Sequence, residues 1–111
     1  MTGPTDDAMN AMLATAKTYS LMILRDGPNA TAPDAPGHVW EHGRRNFALR
    51  AAGSLAVVLP VLDSSDVCGV GVFAATVEET VAIMNDDPGV RAGVFTFEVH
   101  PCLGFPGDVL P

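Results

Sequence analysis

Residues 54–75 read SLAVVLPVLDSSDVCGVGVFAA, and this stretch decides the fold. Two apolar runs, 54–62 and 67–75, lie on either side of the short polar segment DSSD at 63–66. Apolar runs of this length around a turn are typical of a β-hairpin. A hairpin is therefore predicted at the centre of the chain, and the segments on each side of it determine the topology.

The segment before the hairpin predicts one strand and one helix. The apolar run TYSLMILR at 18–25 is typical of a buried strand, and the Pro-, Gly- and Asn-rich segment 26–37 disfavours regular structure. Helical spacing then holds from His38 to Ala52, and Gly53 is suited to end that helix. The apolar face predicted for it comprises Val39, Trp40, Gly43, Phe47 and Ala51.

The segment after the hairpin predicts a second helix and a last strand. Thr76 and Glu79 have the spacing of a capping box, and Pro88 is suited to end the helix that starts there. The run VFTFEVH at 94–100 alternates apolar and polar residues as a strand does. The order βαββαβ predicts an α+β, ferredoxin-like fold with a four-stranded antiparallel sheet and both helices on one face.

The predicted domain covers residues 17–103. Residues 1–16 are expected to form a tail that ends in a short helix, and residues 104–111 a second, Pro- and Gly-rich tail. In the predicted topology the strand at 54–62 lies at a sheet edge, yet it is apolar on both faces. Because an open sheet face normally meets water, we expect a second subunit to cover it in a homodimer.

Composition excludes several classes of function. The chain has 111 residues, which suits one domain, and its thirteen acidic against six basic residues give a formal charge of −7. Such a surface repels phosphate backbones, so a nucleic-acid partner is not expected. Neither a membrane span nor a secretion signal is recognisable, which predicts a cytoplasmic protein whose Cys68 and Cys102 are free thiols.

Two of the three histidines, His38 and His42, stand four residues apart on the first predicted helix. Such a pair could share a metal ion, but a third ligand would be needed from His100, Asp86 or Asp87, and the pair alone is a weak signal. No metal or cofactor is predicted. His42 is then either a boundary histidine bonded to the backbone or a catalytic group that needs a carboxylate partner.

Asp87 is the candidate partner, because it lies at the end of the second predicted helix in NDDPGVRAG. A carboxylate in that place can orient an imidazole for general acid or base chemistry, or it can simply end the helix. No nucleophile is indicated: Cys68 lies inside a predicted strand, and CGVGV lacks the spacing of a phosphate-binding loop.

The chain resembles the YCII-related family of small, ferredoxin-like, dimeric α/β-barrel proteins. The resemblance covers about residues 17–103. It is carried by MILRDGPN, by EHGRRNFALRAAG with its histidine eleven residues before Gly53, by the strand with Pro60, and by DDPGVRAGVFTFEVHP. Many relatives have Gly-Pro where this chain has Leu59-Pro60, and a leucine there is expected to fill space near the cleft and to narrow the range of substrates.

The resemblance implies an active site in which His42 and Asp87 are the catalytic pair. It also implies a cofactor-independent enzyme of lyase, isomerase or dehydrochlorinase type that acts on a small cyclic or aromatic-derived molecule. His38, Trp40 and Pro60 are then expected to bind the substrate, with His38, Trp40 and the loop at 26–37 near the mouth of the pocket, although Trp40 also suits the core. The alternative is a non-catalytic module that binds a small ligand or a protein partner.

Overall fold

A computed structural model describes residues 2–111. The chain forms a four-stranded sheet with three helices after the first strand and one helix before it. The elements are α1 (Asp6–Leu13), β1 (Lys17–Asp26), α2 (Ala35–Ala51), β2 (Leu55–Pro60), β3 (Val67–Phe73), α3 (Val77–Asn85), α4 (Pro88–Arg91) and β4 (Phe95–Gly104).

The sheet has the strand order β2-β3-β1-β4 and every pairing is antiparallel. The hairpin predicted from residues 54–75 is present as β2 paired with β3, and β2 lies at a sheet edge as expected. The predicted α+β, ferredoxin-like fold is therefore confirmed.

The core lies between the sheet and the helices. Alternate residues of β1 point towards the helices, so Met22 and Leu24 are buried while Leu21 and Ile23 face the other side of the sheet. Because β3 pairs with β1 in register, its inward residues follow the same alternation and end in the fully buried Phe73. The buried apolar side chains are Met22, Leu24, Ala35, Leu55, Phe73, Met84, Val94 and Phe95.

The prediction for the buried face of α2 is wrong. The residues of α2 that are buried are Ala35 and His42, and Leu49 packs partly against the core. Trp40 is instead 70% exposed and Phe47 63% exposed, so the apolar stripe inferred from helical spacing is not packed into the core. The alternative that Trp40 belongs to the core is wrong for the same reason.

The segment after α3 also differs from the prediction. Pro88 does not simply end α3 but begins the short helix α4, which Asp87 caps. The last strand continues to Gly104, because residues 101–104 pair with Lys17 to Ser20 of β1. These paired ends form a ribbon, and α1 precedes it with none of its residues buried.

The start of α3 contains the predicted capping box. Thr76 Oγ1 accepts a hydrogen bond from the Glu79 backbone N–H, and Glu79 Oε1 accepts one from the Thr76 N–H, each at 3.1 Å. We expect Thr76→Ala to lower the free energy of unfolding by about 1 kcal/mol, because a helix donor loses its partner. Urea denaturation measures this.

Thr5 provides a matched control for that prediction, since it caps α1 in the same way through Ala8. Because no residue of α1 is buried in the single chain, Thr5→Ala is expected to leave the urea midpoint unchanged at a dilution at which the protein is monomeric. Equal losses in the two variants would contradict this account of what α3 and α1 contribute to the core.

Among the described residues, no helix is both long enough and apolar enough to cross a membrane.

Candidate active site

Asp87 is held by the turn that it starts. Its Oδ2 accepts hydrogen bonds from the backbone N–H groups of Gly89 at 2.9 Å and Val90 at 3.2 Å, which caps α4. Pro88 occupies the first position of α4, where its missing N–H is not needed. A Cβ at Gly89 would lie 2.6 Å from the ring of Phe95, so a side chain at this position would clash. In the sequence Asp-Pro-Gly, the first residue therefore caps α4, the second begins it and the third leaves room for Phe95.

His42 lies on the inward face of α2, directly opposite this cap. Its Nδ1 is 2.9 Å from Asp87 Oδ1, and its ring centroid is 4.8 Å from that of Phe95. The Asp87 side chain is fully buried and His42 is 8% exposed. The two predicted catalytic residues, distant by 45 positions in the chain, therefore form one buried pair.

The hydrogen-bond partners of each atom indicate which atoms of His42 and Asp87 carry a proton. Burial alone would raise the pKa of Asp87, but the hydrogen bond from His42, its charge and the Val90 and Gly89 N–H groups outweigh burial and lower that pKa. An ionised Asp87 can only accept, so Nδ1 of His42 carries the proton. In the neutral ring, Nε2 then has a free lone pair.

Asn46 contacts that lone pair. It stands one helical turn after His42, and its Nδ2 lies 3.1 Å from His42 Nε2, so the amide donates to the ring nitrogen. Asn46 thus favours the same tautomer as Asp87 does. It also occupies the ring atom through which a substrate proton would move.

Arg45 is the cationic group next to the pair. Its Nη1 donates to the Ile83 carbonyl at 2.7 Å and lies 3.8 Å from Asp87 Oδ1, with the side chain one-quarter exposed. The guanidinium ties α2 to the end of α3. Its charge favours the ionised form of Asp87.

A cleft of about 500 Å³ opens between α2 and strands β2 and β3. His42 and Asn46 are part of its wall, whereas Asp87 lies behind His42 and is not. The rest of the wall is mainly apolar, and one end carries polar groups. The apolar part includes Met22, Leu24, Val39, Phe47, Leu55, Val58, Leu59, Pro60 and Phe95, and the polar end Asp26, Asp63, Ser65 and Cys68.

The three predicted substrate-binding residues lie in different places. Pro60 lines the cleft beside Leu59, as the resemblance implies. His38 lies outside the cleft and its Nε2 is 3.1 Å from Asp34 Oδ2 in an exposed pair. Trp40 lines a second, larger cavity of about 730 Å³ on the outer side of α2, which contains neither His42 nor Asp87.

Cys68 and Cys102 are free thiols, as predicted. Burial, helped by a hydrogen bond to Asp26, raises the pKa of Cys68 to about 11, which makes its thiolate scarce at neutral pH. Among residues 2–111, no three side chains of His, Cys, Asp or Glu converge in a way that could hold a metal ion.

The chain matches no family model and no curated protein sequence. Among solved structures it is similar to 5-chloro-2-hydroxyhydroquinone dehydrochlorinase from Burkholderia phenoliruptrix, solved in complex with 2,5-dihydroxybenzoquinone. The likeness covers 74% of this chain and 90% of that chain, with a TM-score of 0.52 and 18% identity. The methylated RPA0582 protein aligns over 96% of both chains, with a TM-score of 0.41 and 14% identity. The dehydrochlorinase comparison supports a shared ferredoxin-like fold.

The sequence reasoning did not find Asn46, Arg45 or Phe95 as members of the site. A signal for Asn46 was available, because a polar residue one turn after a helical histidine lies on the same face. Helical spacing puts Arg45 opposite the stripe of Val39, Gly43 and Phe47, which predicts a position away from the core. With the face of α2 misassigned, Arg45 could not be predicted to accompany His42.

The lowered pKa of Asp87 predicts how stability depends on pH. Folding favours the carboxylate, so its contribution is full above the unfolded pKa of about 4 and is lost as the pH falls through the lower folded pKa. We expect wild type to be more stable than Asp87→Asn at neutral pH and the difference to shrink below about pH 4. Urea denaturation at several pH values measures it. Other carboxylates, such as Glu79 and Glu98, are present in both proteins and cancel, so a difference independent of pH would contradict the assignment.

Proposed function

We propose that this protein is a cofactor-independent enzyme in which His42 is the general base or acid and Asp87 positions it. The observation that carries the proposal is the order of groups from the cleft inwards: an apolar cavity, the imidazole of His42, and a buried carboxylate behind it. Asp87 sets which ring nitrogen is unprotonated, and that nitrogen lies next to Asn46, which like His42 lines the cleft. This is the arrangement that general acid–base catalysis requires.

The reaction class that fits is an elimination or isomerisation. His42 Nε2 would take a proton from the substrate, and the electron pair left behind would either expel a leaving group with its bonding electrons or move a double bond. The same nitrogen would return the proton in an isomerisation. Asp87 stabilises the imidazolium formed meanwhile, and proton transfer of this kind contributes about 10²- to 10⁴-fold in rate.

The substrate class proposed is a small cyclic or aromatic-derived molecule. A cleft of about 500 Å³ with mainly apolar walls is suited to one ring, and Asp26, Asp63 and Ser65 supply polar groups at one end. The fold likeness to a dehydrochlorinase of a chlorinated hydroxyaromatic supports this choice. Membership of the YCII-related family is part of the proposal, and so is a cytoplasmic location.

A second candidate is a non-catalytic binding module, and one observation favours it. Every buried side-chain polar atom in the described residues already has a hydrogen-bond partner, including both ring nitrogens of His42. Such a closed network also serves a structural purpose. For catalysis, the Asn46 amide must give up Nε2 when substrate binds.

A substrate screen with a matched variant separates the two candidates. Halogenated hydroxyaromatics, including 5-chloro-2-hydroxyhydroquinone, would be assayed for chloride release, and binding of 2,5-dihydroxybenzoquinone would be followed by absorbance. We expect turnover in wild type and none in His42→Asn. Binding with no turnover of any probe, equal in wild type and His42→Asn, would favour the binding module.

The proposal includes a homodimer formed by the sheet face that carries no helix. Register places the outward residues of three neighbouring strands side by side, and nearly all are apolar and half-buried or exposed. A single chain leaves this apolar face in water. The residues are Leu21, Ile23, Val57, Val70 and Val72.

Sedimentation tests the dimer directly. We expect wild type to sediment at twice the chain mass at micromolar concentration and Val72→Asp to dissociate at concentrations at which wild type stays dimeric, because a charge at the centre of the face would be desolvated in the dimer. Leu110→Asp, at an exposed position in the C-terminal tail, is the control and is expected to remain a dimer. A wild-type monomer at that concentration would contradict the proposal.

A further inference from the structure

Helix α1 presents an apolar stripe that nothing in its own chain buries. Met9, Met12 and Leu13 lie at helical spacing and are 51%, 49% and 50% exposed. A helix of eight residues is too short to be stable in water on its own, so it needs tertiary packing. The radius of gyration is 16.3 Å, whereas a compact chain of this length has a radius of about 13 Å. The larger value arises because α1 and the β1–β4 ribbon project from the rest of the domain.

The outer side of α2 presents the complementary feature. Val39, Trp40 and Phe47 are 44%, 70% and 63% exposed, and with Gly43 and the loop at 30–32 they line the open cavity of about 730 Å³. Gly43 lacks a side chain and has open space above it, which leaves a groove across the helix. Helical spacing predicted that this apolar stripe of α2 would be buried. The sequence of α2 therefore has the pattern of a helix that is covered on this side as well as on the side of His42.

Charge gives the orientation of a helix in this groove. The first turn of α1 carries Asp6 and Asp7, whereas the second half of α2 carries two exposed arginines, Arg50 and Arg44, of which Arg44 also pairs with Glu41 at 3.2 Å. An antiparallel arrangement places the two aspartates beside these arginines and opposes the two helix dipoles. In a chain with a formal charge of −7, such a basic stretch is a suitable surface for an acidic helix.

The connection between α1 and β1 is short, and α1 does not occupy the groove of its own chain. Residues 14–16 extend at most about 10 Å. In the structure α1 lies apart from α2, with no residue buried.

We infer that α1 of a second copy of this chain docks in the α2 groove through Met9, Met12 and Leu13. The exchange is reciprocal in a symmetric dimer, because each chain has one helix and one groove. Val39, Gly43 and Phe47 line both this groove and the cleft of His42, so the docked helix forms part of the rim of the partner's cleft. The inference does not depend on whether the cleft is catalytic.

Trp40 is the chain's single tryptophan and reports on this contact. The experiment records the Trp40 emission maximum and acrylamide quenching of the full-length protein over a dilution series, together with sedimentation. The test variant carries Met9→Ser and Leu13→Ser, and the control carries Val109→Ser and Leu110→Ser. All four positions are exposed in the single chain, so neither variant affects its core.

We expect the oligomeric wild type and the control to show blue-shifted emission and weak quenching. In the test variant quenching should rise several-fold and emission should shift to the red, and dilution of wild type to monomer should do the same. Three results would overturn the inference: red-shifted Trp40 in the wild-type oligomer, shielding that persists in the test variant, or shielding that is independent of dilution. The second would mean another occupant and the third an intramolecular contact.

Discussion

Replacing Asp87 by Asn is expected to remove catalysis while leaving α4 capped. The two oxygens of the carboxylate accept different hydrogen bonds: Oδ2 accepts from two backbone N–H groups, and Oδ1 accepts from His42 Nδ1. An asparagine has only one oxygen. The two N–H groups hold that oxygen at the position of Oδ2, so the NH₂ group faces Nδ1 of the ring.

The consequence falls on the tautomer of His42. Because an NH₂ group can only donate, Nδ1 must become the acceptor and the proton of the neutral ring moves to Nε2. Nε2 then has no lone pair for the substrate. We expect the rate to fall by about 10²- to 10⁴-fold, the range for loss of general acid–base catalysis. Turnover of a substrate found in the screen measures it, and Asp86→Asn, at the exposed neighbouring position, is the control expected to keep full activity.

The result that would contradict this assignment is an Asp87→Asn protein with wild-type turnover. The melting temperature of Asp87→Asn shows whether the cap of α4 is kept. If α4 stays capped, melting should change much less than in Asp87→Ala, which loses the cap and the partner of His42 together.

Substitutions of His42 are expected to separate its catalytic role from its structural one. In His42→Asn, the Nδ2–H group takes the place of Nδ1–H and can still donate to Asp87, but no base remains. We expect activity to be lost with a small change in melting temperature. In His42→Ala the fully buried Asp87 loses its side-chain partner, and the free energy of unfolding should fall by about 3–5 kcal/mol, the usual cost of breaking a buried pair.

The comparison of His42→Asn with His42→Ala separates the loss of the base from the loss of the buried pair. Thermal and urea denaturation give the stabilities, and turnover or binding of the same probe gives the activity. His38→Asn is the matched control, because His38 lies on the same helix, is exposed and is outside the cleft. Full activity in His42→Asn would show that the ring is not the base, whatever its effect on stability.

The fold could be predicted because each element has a local signal. The hairpin at 54–75, the capping box of Thr76 and Glu79, and the alternation at 94–100 each depend on residues close together in sequence. The extension of β4 to Gly104 was missed because Pro101 and Gly104 read as a tail. Those residues form a strand only because β1 supplies the pairing, and a long-range partner leaves no local signal.

The face of α2 shows the limit of periodicity. Its apolar stripe was assigned to the core, but the sheet receives His42 and Leu49 instead. Hydrophobic spacing indicates that a face is covered without indicating what covers it. The site shows a similar limit: His42 and Asp87 were predicted through the family resemblance, whereas Asn46 and Arg45 depend on the rotation of α2, which spacing gave incorrectly.

The most direct test of the central claim is the tautomer of His42, measured by ¹⁵N NMR of the ring nitrogens. The three histidine rings would be assigned with His38→Asn and His42→Asn. For the neutral ring in wild type, we expect Nδ1 protonated and Nε2 unprotonated, and the reverse in Asp87→Asn. A neutral His42 protonated on Nε2 in wild type would contradict the account, because the nitrogen at the cleft would then have no lone pair for a substrate proton.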